Sequence, residues 1–174
     1  MRYRDRGVVG FGLSGREGVY PDAPHEPVMR IAADAGLGLV PHAGEAAGPA
    51  SVRSALRMGA HRIRHGVRAV EDPDLVAELA DRQIVLDVCP TSNLRLGVAS
   101  PTDHPLRRLA AAGVACSIST DDPAMFDTDL STEYALAATL GVSAPAAFRA
   151  ALAGVLCDAT TRTRLATPAA DDSG

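Results

Sequence analysis

Gly113-Val114-Ala115-Cys116-Ser117-Ile118-Ser119-Thr120-Asp121-Asp122-Pro123 is the stretch from which the fold can be read. The run from Gly113 to Ile118 is apolar and reads as a buried strand. It delivers two adjacent carboxylates, closed by a proline. Like charges side by side raise each other's pKa unless a cation or a donor sits between them. A metal ion is the usual remedy, because carboxylate oxygen is a good hard ligand. The plainer reading makes Asp122 an N-cap and Pro123 the first residue of the next helix. On this stretch alone both readings stand.

The same design recurs upstream. Val8 to Leu13 reads as a strand running into Ser14-Gly15. Leu37 to Val40 is followed by Pro41-His42-Ala43-Gly44-Glu45, and His61 to Arg64 by His65-Gly66. Ile84 to Val88 is followed by Cys89-Pro90-Thr91-Ser92-Asn93. Helices alternate with these strands. Val28–Ala35 stops at Gly36, and a helix from Pro49 to about Met58 stops before Gly59. Asp72-Pro73 opens another, with Leu75, Val76, Leu79 and Ala80 on one face. Pro105–Ala112 ends at Gly113. Three further helices are expected around Leu130–Leu140, Pro145–Leu156 and Asp158–Leu165. Residues 1–166 then form one body, and 167–174 a flexible small, polar tail.

Strand–helix alternation with near-continuous apolar strands is the pattern of a parallel α/β fold covered on both faces. There is no Gly-x-Gly-x-x-Gly and no Walker-type loop, so a nucleotide-binding doubly wound sheet lacks its fingerprint. The unusual residues all fall just after strands: Gly15, His42 with Glu45, His65, Ser92-Asn93 and Asp121-Asp122. In a (β/α)8 barrel of TIM type the carboxyl ends of the strands form the active-site face. The expected architecture is therefore a partial barrel of five parallel strands. A complete one has eight strands and about 250 residues, against the 174 residues here.

Hydrophobic residues make up 47% and charged residues 22%, which is ordinary for a soluble globular protein. Aromatics are 3% and Trp is absent, so the core must be built from Ala, Val, Leu and Ile. A net charge of −4 and the lack of a basic cluster argue against nucleic acid. No apolar run approaches a membrane span, and no apolar signal core follows the charged N-terminus, so a cytoplasmic location is the expectation. Cys89, Cys116 and Cys157 are far apart and read as reduced thiols.

His42 and Glu45 flank Ala43-Gly44, a small pair that lets the backbone turn tightly so both side chains face one pocket. A lone histidine after a strand is usually structural. Two histidines, a glutamate and an aspartate pair on one face fit better with a mononuclear metal site. Nitrogen and carboxylate donors without thiolate suit catalytic zinc. Zinc can lower the pKa of a bound water from ~15.7 to about 7, and a neighbouring glutamate could then move protons.

These residues resemble the carboxyl-terminal part of adenosine deaminase and its relatives in the metal-dependent amidohydrolase superfamily. Gly10-Phe11-Gly12-Leu13-Ser14-Gly15 resembles the family's fourth-strand segment. His42-Ala43-Gly44-Glu45 is the most specific match, and Arg64-His65-Gly66 resembles the family's Gly-His-Gly. Cys89-Pro90-Thr91-Ser92-Asn93 and Ser119-Thr120-Asp121-Asp122-Pro123 follow in order. The resemblance implies zinc held by His42 and Asp121. Glu45 would protonate purine N1, and His65 would orient and polarise the attacking water. Asp122 would hydrogen-bond purine N7, and the N–H of Gly15 would meet N3. The implied reaction is hydrolytic loss of ammonia from a 6-aminopurine nucleoside, adenosine giving inosine. The other zinc deaminase class, with its His-x-Glu and Pro-Cys-x-x-Cys signature, is not matched.

Departures matter. The family's first strand carries a His-x-His pair that supplies two more zinc ligands, and no His-x-His occurs here. The matched region begins at the family's fourth strand. Arg64 stands where glycine is usual, and Gly12 and Arg16 where acidic residues are common. These differences leave adenine or aminodeoxyfutalosine open as substrates. Two ligands are too few for a tight catalytic zinc site, and an open sheet would expose an apolar inner face and unpaired edges. The expectation is weak zinc binding and little activity for this polypeptide alone, with a partner chain as one source of the missing strands. A non-catalytic remnant is the competing reading from another class. Ser92 and Asn93 are read as a structural turn.

Overall fold

The computed structural model describes residues 3–19 and 23–167. The tail read over 167–174 lies, apart from Thr167, outside them. In chain order the regular elements are β1 (Gly10–Phe11), α1 (Glu26–Asp34), β2 (Gly38–Leu39), β3 (His42–Ala43), α2 (Pro49–Arg57) and β4 (Arg62–His65). There follow α3 (Pro73–Asp81), β5 (Val85–Val88), α4 (Pro90–Arg95), α5 (Pro105–Ala111) and β6 (Cys116–Ile118). The chain continues through α6 (Pro123–Phe126), α7 (Leu130–Thr139), α8 (Ala144–Ala153) and α9 (Ala159–Ala166).

All strand pairings are parallel: β1 with β2, then β3–β4–β5–β6 in sequence order. The strand expected at Leu37–Val40 continues past its expected end and is split into β2 and β3. Pro41 has no N–H to give to the ladder. The wall is nevertheless continuous. Val40 N–H donates to Phe11 C=O at 2.9 Å, His42 N–H to Leu13 C=O at 2.8 Å, and Arg64 N–H to Pro41 C=O at 3.0 Å. The sheet does not close, because among the described residues β1 pairs only with β2 and β6 only with β5. This is an α/β fold with an open, barrel-type parallel wall.

One face of the wall carries the core. Val52, Ile63, Leu75, Leu79, Leu86, Val88, Leu106 and Leu109 are fully buried between strands and helices. A smaller cluster of Met29, Ala32, Leu37 and Leu39, packed by Phe11, seats α1. The opposite face of β4–β6 departs from the expected apolar surface. Arg62 Nε donates to Asp87 Oδ2 at 3.0 Å, and Ser117 Oγ donates to Asp87 Oδ1 at 2.5 Å. Arg62 Nη1 also reaches Gly154 C=O at 3.1 Å. Charges that satisfy each other across three strands make this face polar. At Gly38 a Cβ would lie 2.5 Å from the Leu156 methyls, so Leu156 rests on bare backbone there. The helix expected over Pro145–Leu156 accordingly ends at Ala153, which frees Leu156 to make that contact.

Candidate active site

β3 ends at His42–Ala43, and the chain turns at once. Gly44 has φ +72°, and a Cβ there would lie 2.3 Å from Val52 Cγ2 and 3.1 Å from Gly66 Cα. Only glycine fits a left-handed residue pressed against two neighbours. The turn brings Glu45 back over His42, with Oε2 3.5 Å from Nε2. β4 ends on His65, whose φ of +66° breaks the alternation that sends Ile63 toward the helices. Its ring centroid lies 4.5 Å from that of His42, and its Nδ1 lies 3.3 Å from Glu45 Oε1. Asp121, after β6, has φ +59°. Left-handed backbone costs a non-glycine residue of order 1–3 kcal/mol and clusters at functional sites.

The Cys89–Asn93 segment is not a turn but the entry to α4, and it closes the site from the side. Ser92 and Asn93 have no exposed surface. Ser92 Oγ donates to Asp121 Oδ2 at 2.7 Å, and its 3.4 Å approach to Glu45 Oε1 is secondary because one hydroxyl carries one proton. Asn93 Nδ2 donates to Glu45 Oε1 at 3.2 Å. The motif was visible in the sequence. What it lacked was a sign that this polar pair occupies the buried first turn of a helix. Buried Glu133, on α7, holds that turn by accepting the N–H of Thr91 at 3.0 Å and the hydroxyl of Thr128 at 2.7 Å.

Glu17 was missed altogether. Its carboxylate accepts the N–H of Gly44, of Glu45 at 2.9 Å, of Ala46 at 2.7 Å and of Ala47 at 3.0 Å, and the Ser51 hydroxyl at 2.5 Å. The only trace in the sequence is a carboxylate between Gly15 and Gly18, beside the Arg16 already noted as unusual.

Burial dominates the electrostatics. It raises the Glu45 carboxyl to about 7, helped by the Asp121 charge and opposed by the bonds from Ser92 and Asn93. It lowers His65 to about 4, with the neighbouring His42 adding to the effect, and it lowers His42 as well. The 3.3 Å and 3.5 Å His–Glu contacts have ion-pair distances, yet burial favours the neutral form of every partner. We read them as neutral imidazoles around a carboxyl poised between its two states. Burial alone would also raise Glu17, but the Ser51 hydroxyl and the amides of Ala47, Gly44 and Ala46 overcome it and leave its pKa lowered. The Cys89 thiol is pushed up to about 12 by burial and by Asp121, so it is an inert neighbour at neutral pH.

His42 and His65 stand between two cavities. One, of about 560 Å³, is lined by Leu13, Gly15, Glu17, His25 and His42. The other, of about 390 Å³, is lined by Arg64, His65, Cys89, Ser119 and Asp121. Two sets of donor atoms lie within 4.8 Å of one another: His42, Glu45 and His65, and His65, Cys89 and Asp121. The first set suits a nitrogen- and oxygen-binding metal such as zinc, whereas the second offers it His65 and Asp121 beside a protonated thiol; His65 Nδ1 is a buried nitrogen with no hydrogen-bond partner. His42 and Asp121 do not fall in one set; His65 bridges the two. Asp122 lies outside both cavities. Its Oδ1 accepts the N–H of Ala124 at 3.1 Å and Met125 at 3.0 Å, the capping arrangement the sequence allowed.

The chain is 50% identical over 173 residues to the aminodeoxyfutalosine deaminase of Acidothermus cellulolyticus, covering 94% of this chain and 49% of that protein. It therefore spans about half the length of this curated relative. The adenine deaminase of Arthrobacter aurescens superposes with a TM-score of 0.83 at 31% identity, over 94% of this chain and 53% of that one. An amidohydrolase from Burkholderia ambifaria with bound Zn superposes with a TM-score of 0.81 at 28% identity, over 90% and 46% respectively. The family model described as adenosine deaminase matches residues 1–166, and the chain belongs to the adenosine deaminase family of hydrolytic deaminases.

Proposed function

We propose that this chain supplies the acid–base and part of the metal-binding half of a zinc-dependent site that removes ammonia hydrolytically from a 6-aminopurine. The observation that carries the reading is Glu45. It is a buried carboxyl held at about 7, wedged between two neutral histidines and tied to Asn93. A general acid–base is most effective when its pKa lies near the working pH.

His42 and Asp121 would offer donors to zinc, with His65 between them, and zinc when bound supplies a Lewis acid that makes water nucleophilic at neutral pH. Glu45 would deliver its proton to purine N1, which draws electron density from C6 and opens it to attack by water. Neutral His65 accepts a hydrogen bond from the attacking water through an imidazole nitrogen. Asp121, exposed and bonded to Ser92, would offer a carboxylate oxygen to the metal. Gly15 lines the larger cavity, and its N–H would meet purine N3. Asp122 Oδ1 is engaged at the helix cap, so its bond to N7, itself an acceptor, requires a proton on Oδ2.

The described donor sets give two histidines and one carboxylate at most around one point, and the open wall leaves one side of it uncovered. We infer that strands from elsewhere complete the shell. Adenosine, adenine and aminodeoxyfutalosine share the 6-aminopurine ring that these contacts address. A panel of the three, with ammonia release and zinc content measured on the chain alone and with the amino-terminal half of the Acidothermus relative added in trans, tests the proposal. Expected are sub-stoichiometric zinc and weak turnover alone, and a gain of at least tenfold on addition. Stoichiometric zinc with full turnover by the lone chain would overturn the completing strands. No deamination of any panel member after zinc binding would overturn the reaction.

A further inference from the structure

We propose that Glu17 is the positioning residue of this site, its carboxylate fixing the backbone that carries His42 and Glu45; the inference rests on the deaminase reading above. Four consecutive N–H groups, Gly44 to Ala47, converge on that one carboxylate, with the Ser51 hydroxyl as a fifth donor. Successive amides curled around an anion form a concavity that binds negative charge. Here the anion is supplied by the chain itself, from a segment 27 residues upstream of Gly44.

The arrangement is costly unless it is needed. The Glu17 side chain is 6% exposed, and its nearest cation-forming neighbour is His42, at 4.0 Å and held toward neutrality by burial. Among the described residues no arginine comes within ion-pair distance of it, and Arg68 acts on it only at longer range. A buried carboxylate without a counter-charge is stable only when hydrogen bonds replace its hydration, and the amides do that. In return those amides lose their freedom. On the carbonyl side, Arg68 N–H donates to Gly44 C=O at 2.8 Å. Arg68 Nη1 grips Ala46 C=O as well. The segment that places Glu45 between His42 and His65 is thus clamped through its N–H groups by Glu17 and through its carbonyls by Arg68.

Glu17 also lines the larger cavity together with Gly15 and His42, so it couples the segment after β1 to the turn after β3. Glutamine at position 17 keeps the shape but has one acceptor oxygen, and its amide N–H groups would face the donors of the nest. Aspartate keeps the charge but is one methylene short. Glycine leaves the nest open to a small carboxylate from solution.

The test uses the full chain and two readouts. Amide hydrogen exchange in the metal-free protein should rise at least tenfold at residues 44–47 in Glu17→Gln, while exchange in β5 stays as in the wild type. Ser51→Ala, which removes one donor and leaves the carboxylate, should raise it severalfold less and guards against a variant that fails to fold. The visible spectrum of bound Co2+ should change in Glu17→Gln. In Glu17→Gly, 100 mM formate should restore both the protection and the wild-type spectrum. Unchanged exchange at 44–47 overturns the proposal. So does a general fall in stability with an unchanged Co2+ spectrum and no formate rescue, which would make Glu17 a residue of the fold alone. Absence of Co2+ binding by the wild-type chain even with the amino-terminal half of the Acidothermus relative added would instead count against the metal reading, because the exchange readout does not involve metal.

Discussion

The loops after β3 and β6 carry the two halves of the site and are held in opposite ways. The turn at Gly44–Ala47 is fixed from a distance, by Glu17 on one side and Arg68 on the other. The turn at Asp121–Asp122 fixes itself: Asp122 caps α6 with its own carboxylate, and the left-handed residue is an aspartate instead of a glycine. The first loop buries its carboxyl, Glu45, at 7% exposure and shifts it strongly, whereas Asp121 stays exposed. A residue meant to exchange a proton near neutral pH needs desolvation. A residue meant to hold a cation needs to keep its charge, and solvent helps it do so. The difference in anchoring follows, since only a loop clamped from outside can keep a carboxyl buried.

The harshest way to break the contrast is Gly44→Ala. The new Cβ would meet Val52 Cγ2 at 2.3 Å and the Gly66 backbone at 3.1 Å, in a left-handed conformation. We expect a loss of about 3 kcal/mol or more from strain and overpacking together, read as a fall in the urea midpoint. A change below about 1 kcal/mol would mean that the turn is soft and the clamp unnecessary.

The pH dependence of the metal-free protein probes the same loop less severely. Glu45 is held at about 7 against an ordinary 4.5, so the folded chain binds this proton more tightly, and stability falls as pH rises through that window. His65 is held at about 4 against 6.5, so the unfolded chain binds its proton more tightly, and stability rises as pH rises through that window. His42 and His104, both lowered by burial, act in the same direction as His65. Where the windows overlap the slopes oppose. Glu45→Gln should therefore make stability climb more steeply with pH between about 4.5 and 6.5, and His65→Gln should flatten or reverse the climb. Urea midpoints across that range decide it, and parallel profiles for the two variants would refute the opposed shifts.

What could be read from the sequence divides along the same line. Asp122-Pro123 and Asp72-Pro73 announce their helices because cap and helix are neighbours in the chain, and both caps form. The strands and the residues at their carboxyl ends were legible because apolar runs and glycine stops are local. Pro41 was read as following a strand, yet the wall continues through it into β3, because pairing from both neighbours outweighs one missing donor. Glu17 and Glu133 left no local signature, since each is defined by donors far along the chain. The polar pairing of Arg62, Asp87 and Ser117 was hidden for the same reason. It comes into view only when three strands are aligned, and so the face was expected to be apolar.

The smallest predicted effect separates the neighbours Asp121 and Asp122. Asp122→Ala removes an N-cap that accepts two backbone N–H groups, and should cost about 1 kcal/mol. It should leave the Glu45 titration alone, because Asp122 is not among the groups that shift it. Asp121→Asn should do the reverse. Asparagine tolerates left-handed backbone as well as aspartate does, so stability should barely move. The loss of the Asp121 charge removes the second cause of the raised Glu45 pKa, which should then fall. A 13C-detected titration of the Glu45 carboxyl, paired with urea denaturation, measures both quantities in both variants. If Asp122→Ala moved the Glu45 titration and Asp121→Asn did not, the division of labour between these adjacent carboxylates would have to be exchanged. The metal would then belong with Asp122, and the capping bonds would be incidental to its task.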